Sequence, residues 1–253
     1  MKKIIILSDL HCGHIVGLTP PKWQVNMSEY YKEQKSCFNF FKTEIEKLGK
    51  IDVTIVNGDA IEGKGERSGG TELIVSDRKQ QVEIAEECLS LINTKKIYFT
   101  YGTPSHVGKE EDWEKVLSDN MGGEIKNILS IQIDEIKFNI RHHIGSSTVP
   151  HGRFTPIARE RVWDMLKEDY EGREKSDILI RSHVHYFTYC GDEKGLGITT
   201  PALQGKGSKY GGRVCSGTTS FGFIYMEVDG DKYSWKPIIL DYRVINKNSF
   251  IKI

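Results

Sequence analysis

Five short segments of this chain carry side chains that bind metal ions, and each follows a stretch predicted to be a β-strand. The residues are Asp9 and His11, Asp59, His106, the neighbours His142 and His143, and His183 with His185. Carboxylate oxygens combined with imidazole nitrogens suit a divalent transition metal. Because strand ends gather at one edge of a sheet, we expect these segments to converge on one dinuclear metal site.

The first segment illustrates how a strand would position its ligands. Residues 4–8 are largely an apolar run with β-branched residues, which is typical of a buried parallel strand. Side chains alternate along an extended chain, so Asp9 and His11 are expected to point the same way from the end of this strand. An Asp-x-His pair alone is common by chance. The four further segments, in order along the chain, give it weight.

Strand and helix patterns alternate through the first two thirds of the chain, which predicts βαβ units and a largely parallel sheet. The pattern predicts strands over residues 4–8, 51–56, 96–101 and 178–180, and helices over 28–48, around 82–92, from 113 and over 157–170. Residues 128–133 and 136–140 have the pattern of a hairpin. This hairpin is predicted to open a second sheet.

A glycine-rich stretch from Gly205 to Gly212 has nearly the glycine spacing of a dinucleotide-binding fold. It does not match G-x-G-x-x-G and no βαβ unit surrounds it, so we interpret it as a mobile loop. Its basic residues Lys206, Lys209 and Arg213 are interpreted as solvated surface charges, which are ordinary on proteins.

Length and charge limit the possible classes of function. The 253 residues are interpreted as one domain over 1–253, with 35 basic and 35 acidic residues that leave a formal net charge of zero. No global field therefore draws the protein to nucleic acid or to anionic lipid. No stretch approaches the ~20 apolar residues of a membrane span. The five scattered cysteines form no C-x-x-C pair, and a reducing cytoplasm is the expected compartment.

Taken in order, the five segments resemble the motifs of the calcineurin-like metallophosphoesterase superfamily, which read D-x-H, G-D, G-N-H-[E/D], H and G-H-x-H. This chain has Asp9-Leu10-His11, Gly58-Asp59, Gly102-Thr103-Pro104-Ser105-His106, His142-His143 and Ser182-His183-Val184-His185. The resemblance covers residues 5–185. It implies an α/β fold, namely a four-layer α/β/β/α sandwich with two mixed β-sheets.

The resemblance also implies which residues hold the ions. One ion would be held by Asp9, His11, Asp59 and His185, and the other by Asp59, His183 and either His142 or His143, of which His142 is preferred. Asp59 would bridge the two. Mn²⁺ is the first candidate, with Fe, Zn²⁺, Co²⁺ or Ni²⁺ as alternatives. His106 would remain free to protonate the leaving group, since a histidine titrates near neutral pH.

The chain departs from the family pattern at two places. Thr103-Pro104-Ser105 separates Gly102 from His106, where the family has a single asparagine whose carbonyl ligates the second metal. A hydroxyl of Ser105 or Thr103, or a water molecule, would have to replace that ligand. The second departure is the absence of the G-D-x-x-D-R-G continuation after Asp59, which argues against a phosphoprotein phosphatase.

The expected activity is therefore hydrolysis of phosphomonoesters or phosphodiesters by a hydroxide that two metal ions activate. The substrate could be a nucleotide or nucleic acid, and the sequence does not define the oligomeric state. One alternative is a nuclease of the DNA-repair type, which the neutral net charge disfavours. Another is a metal-binding pseudoenzyme that acts as an interaction module, which the altered Gly102 to His106 segment motivates and the retained His106 disfavours.

Overall fold

Two mixed β-sheets run through the computed structural model, which describes residues 1–107, 111–172, 174–214 and 218–242. In chain order the strands are β1 (Lys2–Leu7), β2 (Ile51–Asn57), β3 (Thr94–Thr100), β4 (Glu124–Lys126), β5 (Leu129–Ile133), β6 (Ile136–Ile140), β7 (Ile178–Arg181), β8 (Thr188–Asp192), β9 (Gly195–Thr199), β10 (Gly222–Asp229) and β11 (Lys232–Ile239). The helices are α1 (Tyr31–Leu48), α2 (Arg78–Leu89), α3 (Pro104–Val107), α4 (Trp113–Asn120), α5 (Thr155–Glu171) and α6 (Lys209–Val214).

The first sheet has the strand order β11-β10-β1-β2-β3-β4. Strands β1 to β4 are parallel, and β10 and β11 add to the β1 side as antiparallel strands. The prediction of a largely parallel sheet is confirmed for this sheet. Strand β4 carries only the sequence Glu-Ile-Lys and was not predicted, because three residues with one apolar side chain give no periodic signal.

The second sheet has the order β5-β6-β7-β9-β8. Strands β5 and β6 form the predicted hairpin that opens it, with Ile133 opposite Ile136 next to the turn. Strands β6, β7 and β9 are parallel, and β8 pairs antiparallel with β9 at the edge.

Three apolar clusters separate four layers. Strand β1 shows why, since Ile4 and Ile6 pack between the two sheets whereas Ile5 and Leu7 face the helices on the other side. The alternation of side chains in a strand fills both cores from one apolar run. A third cluster joins Ile157 of α5 to the outer face of the second sheet. The predicted four-layer α/β/β/α sandwich with two mixed sheets is confirmed.

The helices differ from the prediction at α1, α2 and α6, and α2 covers Arg78–Leu89 rather than residues around 82–92. Helix α1 begins at Tyr31 rather than near Ser28, and it ends as predicted before Gly49, which adopts a φ of 67°. The prediction of a loop across residues 205–212 is wrong in part, because α6 covers Lys209–Val214. Lys209, interpreted from the sequence as a solvated surface charge, makes a hydrogen bond within the protein, since its Nζ donates to Thr71 Oγ1 at 2.8 Å.

No helix within the described residues has both the length and the apolar character needed to cross a membrane. The thiols of Cys12, Cys37, Cys88 and Cys190 are free. Cys215 lies outside the described residues.

Candidate metal centre

Five of the candidate ligands lie just beyond the ends of β1, β2 and β7, in backbone that few residues adopt, and a sixth, His142, follows β6. Six non-glycine residues of the described chain have a positive φ, and five of them are Asp9, His11, Asp59, His183 and His185, with φ values of 51°, 45°, 51°, 73° and 53°. Left-handed backbone is unfavourable for residues other than glycine and persists only where the surroundings impose it. Such strain concentrated on ligand-type side chains indicates a functional site.

A first group of candidate ligands consists of Asp9, His11 and His185, all of which are buried. Nε2 of His185 lies 3.3 Å from Nε2 of His11 and 3.3 Å from Oδ1 of Asp9. Atoms that bind one ion at ~2.1 Å lie about 3 Å from each other, so this spacing fits a shared cation.

A second group consists of Asp59, His142 and His183. Oδ2 of Asp59 lies 2.9 Å from Nε2 of His142 and 3.9 Å from Nδ1 of His183. The two groups adjoin, because Nε2 of His142 is also 3.8 Å from Oδ1 of Asp9. Asp59, the predicted bridge, belongs to the second group. Oδ1 of Asp9 lies between the two groups, 3.3 Å from Nε2 of His185 and 3.8 Å from Nε2 of His142.

Several atoms that face the centre lack a hydrogen-bond partner among the described residues. They include Asp9 Oδ1 and His183 Nδ1, both of which are buried. A buried polar atom without a partner costs about 1–3 kcal/mol, and a bound cation would satisfy a carboxylate oxygen and imidazole nitrogens together. The mixed nitrogen and oxygen donors fit a divalent transition metal.

Hydrogen bonds at the far ring nitrogen orient two of these imidazoles. Nδ1 of His142 lies 2.7 Å from the carbonyl oxygen of Asn57, and Nδ1 of His11 lies 2.7 Å from Oε2 of Glu62. When Nδ1 carries the proton and donates it to these oxygens, Nε2 presents its lone pair to the centre.

The sequence left open whether His142 or His143 is the ligand. His142 is buried in the second group, whereas His143 is exposed and packs its ring on that of His183 with the centroids 5.0 Å apart. Backbone pairing sets which of the two imidazoles faces the second group, since Ser182 N–H donates to the carbonyl of His142 at 2.8 Å.

Burial and charge set different protonation states within the centre. Burial lowers the pKa of His11 to about 4, although the neighbouring Glu62 opposes this, so His11 is neutral at neutral pH. Burial also lowers the pKa of His142, but attraction to Asp59 and Asp9 outweighs it and raises that pKa to about 10. Burial alone would raise the pKa of Asp59, yet His142 and His106 hold it well below its usual range. Without metal, His142 therefore supplies positive charge to the carboxylates.

The altered segment after β3 brings Thr103 rather than Ser105 to Asp59. Thr103 donates its backbone N–H to Oδ1 of Asp59 at 2.7 Å, and its hydroxyl lies 3.1 Å from the same oxygen. Ser105, a predicted ligand, is one step further out, with its hydroxyl 3.2 Å from that of Thr103. Gly102 must be glycine, because a Cβ there would lie 2.1 Å from Asp59 Oδ1.

His106, the predicted general acid, lies beside the candidate ligands. Its Nδ1 lies 2.7 Å from the carbonyl oxygen of Glu62, and its Nε2 lies 4.0 Å from Oδ2 of Asp59. Burial lowers the pKa of His106, but the charges of Asp59 and Glu62 outweigh it and leave the pKa raised. A histidine held in this way can carry a proton at neutral pH.

A cavity of about 320 Å³ opens onto His11, Asp59, Ser105, His106, His183 and His185. Its walls also include residues that the sequence analysis did not assign to the site, namely His14, Glu62, Glu66, Ser68, Glu72, Gln204, Lys209, Tyr210 and Arg213. Tyr210 has its ring centroid 4.9 Å from that of His185, and its hydroxyl donates to the carbonyl of His183 at 2.9 Å. Helix α6, predicted as a loop, is therefore a wall of the site.

Comparison with known proteins gives similarity of the fold but no similarity to a family profile or a curated protein. No protein-family profile matches the chain. No curated protein matches it either. Among solved structures, Vps29 from Chaetomium thermophilum is 13% identical over 92% of this chain and 85% of that chain, with a TM-score of 0.50.

Two further solved structures have lower TM-scores. A novel archaeal phosphodiesterase is 16% identical over 93% of this chain and 99% of that chain, with a TM-score of 0.46. A predicted phosphoesterase from Streptococcus pneumoniae is 12% identical over 94% and 90%, with a TM-score of 0.41. From the two sheets, the four layers and the likeness to Vps29, the chain has the fold of the calcineurin-like metallophosphoesterases.

Proposed function

We propose that this protein hydrolyses phosphate esters with the help of two divalent metal ions. The observation that carries the proposal is the pair of adjoining ligand groups, in which Oδ1 of Asp9 lies 3.3 Å from Nε2 of His185 and 3.8 Å from Nε2 of His142. Two-ion sites have separations of ~3.5–4 Å, and adjoining groups of this kind suit them.

Each ion has its own set of residues in this proposal. One ion would be held by Asp9, His11 and His185, and the other by Asp59, His142 and His183. The resemblance to the superfamily implies that the Asp59 carboxylate would serve both ions. Mn²⁺ is the first candidate for both ions. When bound, divalent ions polarise a phosphoryl group and lower the pKa of water, which supplies a nucleophile at neutral pH.

His106 supplies the proton in the proposed reaction. The Glu62 carbonyl, 2.7 Å from Nδ1 of His106, favours the tautomer and orientation that turn Nε2 to the cavity. Protonated at Nε2, His106 would donate to the oxygen of the leaving alcohol as the ester bond to phosphorus breaks. General acid catalysis of this kind is usually worth ~10²–10⁴-fold in rate.

The walls of the cavity favour a small ester over a polynucleotide. Acidic and basic side chains both line the cavity of about 320 Å³, namely Glu66, Glu72, Lys209 and Arg213. Glu72 and Lys209 are neighbours, since the backbone N–H of Lys209 donates to Oε1 of Glu72 at 3.0 Å. Nucleic-acid grooves neutralise several phosphates with basic residues, whereas acidic side chains repel flanking phosphates. We therefore propose a compact phosphomonoester or phosphodiester, including nucleotides, as the substrate.

A substrate panel on metal-reconstituted protein tests the proposal. Chelated and Mn²⁺-loaded samples are compared on p-nitrophenyl phosphate, bis(p-nitrophenyl) phosphate, cyclic nucleotides and single-stranded DNA. We expect Mn²⁺-dependent hydrolysis of the small esters with a weak dependence on salt. Preference for DNA with a steep loss of affinity as salt rises would instead identify a nuclease. Metal binding with no hydrolysis of any ester would identify a metal-binding interaction module.

A further inference from the structure

Glu114 is a buried carboxylate on α4 that contacts two loops of the metal centre at once. Its side chain is only 1% exposed. Oε1 accepts the backbone N–H of Ala60 at 2.9 Å, and Oε2 accepts the backbone N–H of Gly102 at 2.7 Å. Ala60 directly follows Asp59, and Gly102 directly precedes Thr103.

The two loops that Glu114 joins are in close contact. A Cβ at Gly102 would lie 2.3 Å from the backbone nitrogen of Asp59, and Thr103 N–H donates to Oδ1 of Asp59 at 2.7 Å. That second contact uses the proposed ligand carboxylate itself. Because this carboxylate would also face the ions, Glu114 gives the Thr103 loop an anchor that does not use a proposed ligand.

A glutamate fits this position better than other side chains. Two N–H donors converge on its two oxygens, and hydrogen bonds to a charged acceptor are about twice as strong as neutral ones. A glutamine would offer one acceptor and turn an N–H₂ group toward the other donor. The charge has a cost, since burial and repulsion from Asp59 raise the pKa of Glu114 to about 7.

From these contacts we infer that Glu114 is a positioning residue of the metal centre, whose carboxylate holds the Asp59 loop in register with the loop of Thr103 and His106. The inference rests on the proposed function. It assigns to α4, which supplies none of the candidate ligands, the task of holding the second ion's site together.

Calorimetric titration of Mn²⁺ into the chelated full-length protein tests this role. The variant Glu114→Gln keeps the volume of the side chain and removes one acceptor. Asp164→Asn is the matched control, because Asp164 is also a buried carboxylate on a helix and accepts the backbone N–H of Ser176 at 2.7 Å, outside the metal centre. Thermal unfolding is measured in parallel on all three proteins.

We expect Glu114→Gln to bind Mn²⁺ at least about tenfold more weakly than wild type, which is typical when a residue that orients ligands is lost. Asp164→Asn should lower the Tm and leave the affinity unchanged. Wild-type affinity in Glu114→Gln, with a Tm loss like that of Asp164→Asn, would overturn the inference. If Glu114→Gln does not fold, Glu114→Asp keeps both acceptors one methylene further back, and wild-type affinity there overturns it equally.

Failure of the proposed function has a different signature, because it would show in the wild-type titration. A wild-type protein that binds no Mn²⁺ refutes the metal centre and this role of Glu114 together. Normal wild-type binding with an unaffected Glu114→Gln variant refutes only the role of Glu114.

Discussion

The carboxylate of Glu62 lies 2.7 Å from Nδ1 of His11, and both side chains are buried. The backbone carbonyl of the same Glu62 lies 2.7 Å from Nδ1 of His106. One residue therefore orients a proposed metal ligand through its side chain and the proposed general acid through its main chain.

Replacing Glu62 with glutamine should lower the affinity of the site formed by Asp9, His11 and His185 for its ion. The amide can still accept from His11, but the negative charge that strengthens the imidazole as a ligand is lost. We expect about tenfold weaker Mn²⁺ binding, measured by calorimetry. Glu72→Gln is the matched control, because Glu72 lies 3.5 Å from His14, which is not a proposed ligand. Equal effects of the two variants would show that the Glu62 contact does not support the ion.

His106→Ala should separate chemistry from metal binding. It should lower kcat by ~10²-fold or more on esters with poor leaving groups, because these need a proton in the transition state. The loss should be smaller on p-nitrophenyl esters, and the metal content should stay at the wild-type level. Measuring kcat on both ester types with metal analysis tests this. Equal losses on both types would exclude His106 as the acid.

Metal binding at the second group should release a proton from His142. The pKa of His142 is raised to about 10 in the metal-free protein, so its imidazole is protonated at neutral pH and must lose that proton to bind an ion. Affinity should therefore increase with pH toward that value, because proton competition weakens. Titrations in buffers of different ionisation enthalpy report the released proton. A binding heat that does not vary with the buffer, in a protein that binds metal, would contradict this.

Two hydroxyls could replace the asparagine ligand that the family pattern has, namely those of Thr103 and Ser105, and single substitutions compare them. Thr103→Val removes the hydroxyl that lies 3.1 Å from Asp59 Oδ1 and keeps the shape of the side chain. Thr103→Val should lower the Mn²⁺ affinity of the site formed by Asp59, His142 and His183. Ser105→Ala should leave the Mn²⁺ affinity near the wild-type value. A larger effect of Ser105→Ala would show that Ser105 supplies the ligand.

The strand ends could be predicted because their signal is local. The apolar run of β1 identifies a buried strand, which ends at Leu7. The expected alternation does not extend to Asp9 and His11, because these residues lie beyond the strand with φ values of 51° and 45°. The choice between His142 and His143 has no such signal, since adjacent residues differ only in the face they present. The pairing of Ser182 with the His142 carbonyl sets which of the two imidazoles faces the centre, and sequence patterns do not contain that register.

Two parts of the site, Glu114 and helix α6, could not be predicted because they depend on contacts between residues distant in the chain. Glu114 reaches Ala60 across 54 positions, and no periodic pattern marks it as anything but a helix residue. Helix α6 was predicted as a loop because Gly211 and Gly212 disfavour a helix by about 1 kcal/mol each. The contact of Tyr210 with the His183 carbonyl lies outside any local rule. Tertiary structure overrides weak helix propensity there.

The central claim is that two ions act together, and the most direct test is the rate of bis(p-nitrophenyl) phosphate hydrolysis as a function of bound Mn²⁺. We predict no hydrolysis by the chelated protein and a maximum only when about two ions are bound per chain, as in two-metal hydrolases. Asp59→Asn should lose most of this activity at every metal concentration. Hydrolysis at the reconstituted rate by protein that elemental analysis shows to be free of metal would contradict the account.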